Sequence, residues 1–360
     1  MVLQNKCCFT RKWYSQRGTI YNITDIKNGY SYGYIGDLMD RKNAIDYLES
    51  QLGHNLEKLE SFPTYINIET INTCNARCIM CGIDFDGRPK TTMSEEVFEK
   101  IVSELSLHTD TIRKVNLYLD CEPLLDKNLH HRIKKLKDAG IKVVNIASNT
   151  SILNDKRGRE LIEAGLDEVY ITIDSLKKET YEAIRIRLNF DTVYSNAIEF
   201  IKLRNILKSN LTIRVQMVSM DMNAGEEQDF IDHWRPLLNK NDQVNVHMAH
   251  NWGGVVNVVT NEQDKFINEI PCTILWSNAC IHADGSVALC SIDTVPSSVH
   301  SIGNMRKQSI SEVWNGSELR KIREMHLEGK RAEHSICNGC TAWRPVNNHM
   351  LKNGLNTVSS

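Results

Sequence analysis

Short apolar runs alternate with longer amphipathic stretches from about residue 63 onward. The short runs are predicted strands, at 65–70, 115–120, 142–147, 168–174, 212–218 and 243–248. The longer stretches carry apolar residues at helical spacing, as in the set Val97, Phe98, Ile101, Val102 and Leu105. This alternation predicts a parallel sheet of six βα units, which form an open, partial (β/α)6 TIM-like barrel in an α/β fold.

Polar residues follow the predicted strands at the ends where such barrels carry their chemistry. A cysteine-rich loop follows the first strand. The later candidates are Asp120-Cys-Glu-Pro-Leu-Leu125, Ser148-Asn149, Thr172-Ile-Asp-Ser175, Arg214 with Gln216, and His250-Asn-Trp-Gly-Gly254. Each residue alone could equally cap a helix or face solvent. Because parallel strands place these ends at one edge, the set predicts a single site.

Composition narrows the class of protein. The chain has 360 residues, of which 41% are apolar and 24% charged, enough for a substantial core. A net charge of −2 gives no sign of nucleic-acid binding. The N-terminus has no apolar signal region, and no run of 18 apolar residues occurs. We therefore expect a cytoplasmic protein with neither nucleic acid nor membrane as partner.

The eleven cysteines point to metal or catalysis if the compartment is reducing. Residues 74–81 read Cys-Asn-Ala-Arg-Cys-Ile-Met-Cys, a C-x3-C-x2-C spacing. Three such thiols can ligate three irons of a cubane [4Fe–4S] cluster and leave the fourth iron open. A zinc site completed by a distant ligand is the alternative. The cluster interpretation requires the loop to follow the first barrel strand, as it does here.

This spacing resembles the signature of the radical S-adenosylmethionine (SAM) enzymes. The resemblance implies that the open iron, on the cluster of Cys74, Cys78 and Cys81, chelates SAM, whose reductive cleavage yields a 5′-deoxyadenosyl radical. It also implies that Glu122, in a segment similar to the family's Gly-Glu-Pro motif, receives the SAM ammonium group, and that Arg185 pairs with its carboxylate. The expected SAM-binding residues are Met80, Glu122, Pro123, Ser148, Asn149, Thr172, Asp174, Ser175, Arg185, Gln216 and His250.

A second cysteine set lies beyond the barrel, at Cys272, Cys290, Cys337 and Cys340. Its spacing around Gly285 resembles the SPASM motif, and the absence of cysteine after Cys340 matches the shorter twitch domain. That resemblance implies one auxiliary [4Fe–4S] cluster on these four thiols, although a zinc site would use the same residues. Asp284-Gly285 predicts a hairpin turn before a strand at 287–289, and residues 310–323 predict a helix.

The expected organisation is an N-terminal extension at 1–62, a barrel at 63–254, an auxiliary-cluster domain at 255–347 and a tail at 348–360. Four thiols remain. Cys7 and Cys8 are expected to be surface or packing thiols, and Cys280 is an alternative auxiliary ligand. Cys121 stands where the family has glycine, so it is either a small buried hydrophobic residue or a hydrogen-atom donor near SAM.

The resemblance leaves the reaction open. We expect SAM and two [4Fe–4S] clusters as cofactors, a flavodoxin- or ferredoxin-type electron donor, and a small-molecule substrate. The leading hypothesis is oxidation or epimerisation of a carbinol carbon in a sugar-like or other small metabolite. Modification of a ribosomally made peptide is the alternative; it would ask for an N-terminal winged-helix module, and residues 1–62 show no evident β-hairpin pattern. A zinc-binding scaffold without catalysis represents a different class.

Overall fold

The computed structural model describes residues 10–14, 20–26, 29–33, 40–85, 87–254, 256–257, 268–293 and 301–342. For the strands before residue 40, only the backbone is described below. Cys7, Cys8 and the tail at 348–360 lie outside the described residues.

The N-terminal extension contains a three-stranded antiparallel sheet, β1 (Thr10–Tyr14), β2 (Ile20–Ile26) and β3 (Gly29–Gly33). The expectation that residues 1–62 contain no hairpin was wrong. The sequence carries the signal, because an Asn28-Gly29 dipeptide between two apolar-polar runs is typical of a hairpin turn. Two helices follow, α1 (Arg41–Leu52) and α2 (Leu56–Ser61).

The barrel contains the six predicted parallel strands. They are β4 (Tyr65–Ile68), β6 (Lys114–Asn116), β7 (Val144–Ser148), β8 (Glu168–Thr172), β10 (Thr212–Ser219) and β11 (Gln243–Met248). Each pairs with its successor, giving the order β11-β10-β8-β7-β6-β4. Short β5 (Arg77–Cys78) pairs antiparallel with β9 (Arg185–Ile186) outside this sheet. The partial (β/α)6 barrel is therefore confirmed.

Helices between the strands cover the sheet. They are α3 (Glu95–Leu105), α4 (Leu129–Asp138), α5 (Asp155–Glu163), α6 (Lys178–Ile184), α7 (Phe190–Ile206) and α8 (Glu227–Trp234). The apolar face of α3 is buried as its spacing predicts. On the opposite face of the sheet, Asn67, Asn116 and Asn145 form a buried ladder. Hydrogen bonds of 2.7 Å and 3.0 Å between their side-chain amides link β4, β6 and β7. These two hydrogen bonds offset part of the cost of burying the three amides.

The C-terminal region continues the barrel sheet. Strand β12 (Asn278–Ile281) pairs parallel with β4, and β13 (Ser286–Ala288) and β14 (Gly303–Asn304) add antiparallel strands. The predicted hairpin is confirmed, with Gly285 at φ 87° in its turn. The predicted helix over 310–323 is two helices, α9 (Ile310–Trp314) and α10 (Ser317–Leu327). The helix is interrupted around Gly316, where an added Cβ would lie 3.1 Å from two carbonyl oxygens of α9.

Within the described ranges, no helix combines the length and the apolar character needed to cross a membrane.

Candidate active site at the carboxyl edge of the barrel

The first cysteine loop leaves β4 and crosses the carboxyl edge of the barrel. Its backbone is fixed at both ends: the Glu122 amide donates to the Thr73 carbonyl at 3.0 Å, and the Cys81 amide donates to the Cys78 carbonyl at 3.0 Å. Cys78 lies in β5, opposite Arg185 in β9. This pairing brings the end of α6 to the loop.

The three thiols of the loop lie close enough to interact electrostatically. Burial raises the pKa of Cys74 to about 11 and of Cys81 to about 12, and the neighbouring cysteines add to both shifts. The pKa of Cys78 is also raised by burial, against the opposing charge of Arg185. The free thiols therefore keep their protons at neutral pH, and binding iron must release those protons.

Glu122 is the centre of a buried hydrogen-bond network. Its carboxylate accepts from the Ser148 hydroxyl at 2.8 Å, from the Asn149 amide at 2.8 Å and from the Leu124 amide at 3.1 Å. The Asn149 side chain donates to Asn75, inside the cysteine loop, at 2.9 Å. Burial raises the pKa of Glu122 to about 6, although these donors oppose the shift. Three of the predicted residues are thus held together beside the first cysteine loop.

Arg185 and Asp174 form a buried ion pair next to Cys78. The Arg185 Nε atom donates to Asp174 at 2.5 Å, and its Nη1 atom approaches the Cys78 sulfur at 3.6 Å. Asp174 also accepts from the Val218 amide at 2.8 Å. Asp174 therefore orients the guanidinium and ties it to β10. Sequence reasoning missed Asn223, whose amide donates to the Asp174 carbonyl at 2.6 Å.

The remaining predicted residues have varied surroundings. The Thr172 hydroxyl donates to the Ser148 carbonyl at 3.2 Å, and Gln216 pairs with Thr172 in the sheet register. Ser175 is turned away from this network and donates to Glu226 at 2.5 Å. Pro123 begins a buried 3-10 turn, Pro123–Leu125. Thr172 on β8 is thus hydrogen-bonded to the end of β7 and Gln216 lies beside it on β10, whereas the Ser175 hydroxyl holds the turn before α6.

The second cysteine set is buried and its members also interact electrostatically. Burial raises the pKa of Cys272 to about 11 and of Cys337 to about 12. Arg331, itself 1% exposed, donates to the carbonyls of Cys337 and Cys340 at 3.0 Å each. The Cys272 amide donates to Nδ1 of buried His326 at 3.1 Å. Sequence reasoning missed Arg331 and His326, because neither follows a recognisable local pattern.

Cys121 and Cys280 lie near the same group of buried charges. Arg88 binds Glu69 through two hydrogen bonds, of 2.7 Å and 2.9 Å, and Asp120 lies 3.6 Å from Arg88. Burial raises the pKa of Cys121 well above its usual value, and Glu69 adds to the shift. Cys280 is buried on β12 and its sulfur accepts from Asn67 at 3.3 Å.

The predicted His250 lies beside the indole of Trp252, with ring centroids 4.8 Å apart. The Trp252 side chain donates to the carbonyl of Met80 at 2.6 Å. The predicted Met80 and His250 are therefore linked through a tryptophan that sequence reasoning did not select.

Both cysteine sets fit iron–sulfur clusters by donor type. In the described part of the chain, no three Cys, His, Asp or Glu side chains converge on a single-ion position. A tetrahedral zinc site requires such convergence. The thiols of a cubane bind different irons and need not converge.

Two protein-family models match the regions that contain the two cysteine sets. Residues 68–214 match the model of the Radical SAM superfamily, and residues 272–341 match SPASM, described as an iron–sulfur cluster-binding domain. These two domains imply SAM and two [4Fe–4S] clusters as cofactors, in agreement with the expectation from the cysteine spacing.

Two curated relatives illustrate the sequence likeness. The GTP 3',8-cyclase of Limosilactobacillus fermentum is 28% identical over 158 residues, 41% of this chain and 46% of the relative. The molybdenum cofactor biosynthesis protein moc-5 of Caenorhabditis elegans is 25% identical over 321 residues, 76% of this chain and 50% of the relative. The chain thus spans about half the length of the curated relatives it matches.

Two solved structures share the fold. BtrN in complex with AdoMet and 2-DOIA matches with a TM-score of 0.54 at 20% identity, over 78% of this chain and 93% of BtrN. Streptococcus suis SuiB bound to precursor peptide SuiA matches with a TM-score of 0.59 at 14% identity, over 88% of this chain and 78% of SuiB. At these identities the likeness establishes the fold alone.

Proposed function

We propose that this chain of the radical SAM superfamily, which carries a C-terminal SPASM-type iron–sulfur domain, is an enzyme. It oxidises or epimerises a carbinol carbon in a sugar-like or other small metabolite. The observation that carries the proposal is the contact between the two cysteine regions through Trp252, which packs against the buried cluster that includes Cys290 and Cys340 and donates a hydrogen bond to the Met80 carbonyl. A small substrate held at this junction would lie close to both clusters.

Within this proposal, Cys74, Cys78 and Cys81 hold the SAM-binding cluster, and Cys272, Cys290, Cys337 and Cys340 hold the auxiliary cluster. When bound, these groups supply a 5′-deoxyadenosyl radical that removes a hydrogen atom and an acceptor for a second electron. Glu122 carries the negative charge that faces the SAM ammonium, and Arg185 carries the positive charge for its carboxylate. Hydrogen bonds from Ser148 and Asn149 hold the Glu122 carboxylate in place, and the ion pair with Asp174 holds the Arg185 guanidinium.

The thiol of Cys121 favours epimerisation over oxidation. A hydrogen-atom donor must keep its hydrogen, and the raised pKa of Cys121 keeps the thiol protonated at neutral pH. The residue directly precedes Glu122, so a SAM molecule bound there would lie near the thiol. In epimerisation this S–H bond would break homolytically, a new C–H bond would form on the opposite face of the substrate carbon, and the thiyl radical left on Cys121 would take one electron from the flavodoxin- or ferredoxin-type donor and one proton from solvent.

The test is anaerobic incubation of the reconstituted protein with reductant, SAM and a panel of sugars, aminocyclitols and GTP. The proposal expects 5′-deoxyadenosine with a sugar-like substrate. In deuterated water an epimer would carry solvent deuterium at the reacting carbon, and a ketone product would indicate oxidation. Cys121→Ala should abolish epimer formation, and Cys280→Ala, which removes the buried thiol of β12, should not. Zinc without iron in the protein, or 5′-deoxyadenosine formed only with a peptide, would refute the proposal.

Modification of a ribosomally made peptide is the second candidate. The observation that favours it is the antiparallel sheet β1–β3 before the barrel, because an open sheet edge can receive an extended peptide as an added strand. Deleting residues 1–39 separates the two candidates. The deletion should weaken turnover of a peptide and leave turnover of a small sugar unchanged.

We also propose a flavodoxin- or ferredoxin-type protein as the source of the electron that reduces the SAM-binding cluster. Reduced flavodoxin or ferredoxin should then replace a chemical reductant in the assay. Failure of both proteins, with a chemical reductant still active, would refute this assignment.

A further inference from the structure

The segment that follows β11 lies between the two cysteine regions and is hydrogen-bonded to the C-terminal one. The Asn251 amide donates to the Thr341 hydroxyl at 2.9 Å, and the Thr341 amide donates back to the Asn251 side chain at 3.0 Å. The Asn251 side chain also donates to the Gly339 carbonyl at 2.8 Å. Three hydrogen bonds therefore fix this segment to the Cys337–Cys340 loop.

The next residue, Trp252, contacts both regions at once. Its ring packs against the small buried cluster of Cys290, Ile292 and Cys340. Its Nε1 atom donates to the carbonyl of Met80 at 2.6 Å, between the second and third cysteines of the first loop. A shift of either loop must therefore break a contact of this side chain or move the ring.

The backbone of Trp252 is strained. Its φ is +47°, a left-handed conformation that is an outlier for a bulky aromatic residue. Gly253 follows with φ +63°, and a Cβ added there would lie 3.0 Å from the Ile336 carbonyl oxygen. Such a conformation persists only where surrounding contacts hold it, and the observed outlier points to a functional constraint.

We propose that Trp252 is a positioning residue that couples the auxiliary site to SAM binding at the first cysteine loop. The Met80 carbonyl lies within the loop whose three thiols would leave one iron open for SAM, so the hydrogen bond from the indole helps set the shape of the SAM site. The side chain packs against the buried cluster that contains Cys290 and Cys340, so a disturbance of that cluster changes the position of the same side chain. The inference rests on assigning the two cysteine sets to clusters, which iron analysis tests separately.

The test is a double-mutant cycle on the SAM dissociation constant, since coupling between two sites appears as non-additivity. The four proteins are the parent, Cys290→Ala, Trp252→Phe and the double variant, each reconstituted anaerobically. Iron analysis and electron paramagnetic resonance establish that the first cluster is present. Cys290→Ala should weaken SAM binding at least fivefold in the parent and less than twofold in the Trp252→Phe background.

The matched control is Trp314→Phe. Trp314 lies in the C-terminal region and, like Trp252, donates to a backbone carbonyl, that of Leu59 at 3.3 Å. In this background Cys290→Ala should keep its parental effect. Equal effects in the parent and the Trp252→Phe background, or no effect in the parent, would overturn the inference. If Trp252→Phe does not assemble the first cluster, Asn251→Ala replaces it in the cycle with the same expected loss of coupling, because it removes two of the three hydrogen bonds between this segment and the Cys337–Cys340 loop.

Discussion

Protonation of Glu122 should weaken SAM binding in mildly acidic solution. Glu122 is 2% exposed, and burial raises the pKa of its carboxyl group to about 6. With that pKa, about a quarter of the carboxylates are ionised at pH 5.5 and about 97% at pH 7.5. If only the ionised form binds the SAM ammonium, the apparent dissociation constant rises about fourfold between pH 7.5 and pH 5.5.

The assay is equilibrium binding of SAM to the anaerobically reconstituted protein across this pH range. Glu122→Gln should bind SAM about tenfold or more weakly at pH 7.5, because a charge-assisted hydrogen bond contributes about 1.5–3 kcal/mol. The dissociation constant of the variant should also change less with pH than that of the parent, because the variant has no carboxylate to titrate at this position. Titration of SAM itself affects both proteins equally. Glu104→Gln is the matched control, since the Glu104 carboxylate accepts two backbone amides of α9, away from the site. Equal pH dependence in the parent and Glu122→Gln would refute this role for the carboxylate.

The raised pKa of Glu122 also makes the stability of the folded protein depend on pH. The folded-state pKa of Glu122 lies above the ordinary value of 4.5, so the folded protein takes up the proton more readily than the unfolded chain. Its contribution to stability is fully present below pH 4.5 and is lost as pH rises through 6. Over that window the free energy of unfolding should fall by about 2 kcal/mol in the parent relative to Glu122→Gln. Denaturant titrations of the cluster-free proteins measure the difference.

Three further predictions concern single residues. Asp174→Asn should lower the free energy of unfolding by about 3–5 kcal/mol in denaturant titrations, because Arg185 would keep a buried charge without its counter-ion; a change below 1 kcal/mol would contradict this. Arg331→Met should lower the iron content from about eight to about four per chain, since the Cys337–Cys340 loop loses its backbone support; unchanged iron would show that the loop holds its shape alone. Gly253→Ala should cost more stability, about 1–2 kcal/mol, than Gly225→Ala, because both have positive φ but only the first meets a backbone oxygen at 3.0 Å; equal thermal shifts would contradict the close approach.

Local patterns predicted the barrel well. The strands β4 to β11 of the parallel sheet each lie within or close to an apolar run, and short runs between helices are typical of such sheets. The cysteine loop was equally clear because its spacing is a local property. The N-terminal sheet was missed although its Asn-Gly signal was available.

Residues that depend on distant partners were not predictable in the same way. The pairing of β12 with β4 is parallel and non-local, so no periodicity along the chain encodes it. Trp252 and Arg331 act through contacts with residues far along the sequence, and the sequence alone shows each as a single aromatic or cationic residue in a loop. For Glu122 the position was predictable, but its raised pKa comes from burial, which only the structure provides.

The pairing of β12 with β4 also imposes an order on folding. The cross-strand contact between Asn67 and Cys280 spans 213 residues, so the first barrel strand is synthesised long before its outer neighbour. Until residues 278–281 leave the ribosome, one edge of β4 presents open backbone donors and acceptors, which invite pairing with another chain. Contacts of such long range also slow folding. The C-terminal region therefore covers this edge only in the completed chain, and a chain truncated before β12 would keep it open to aggregation.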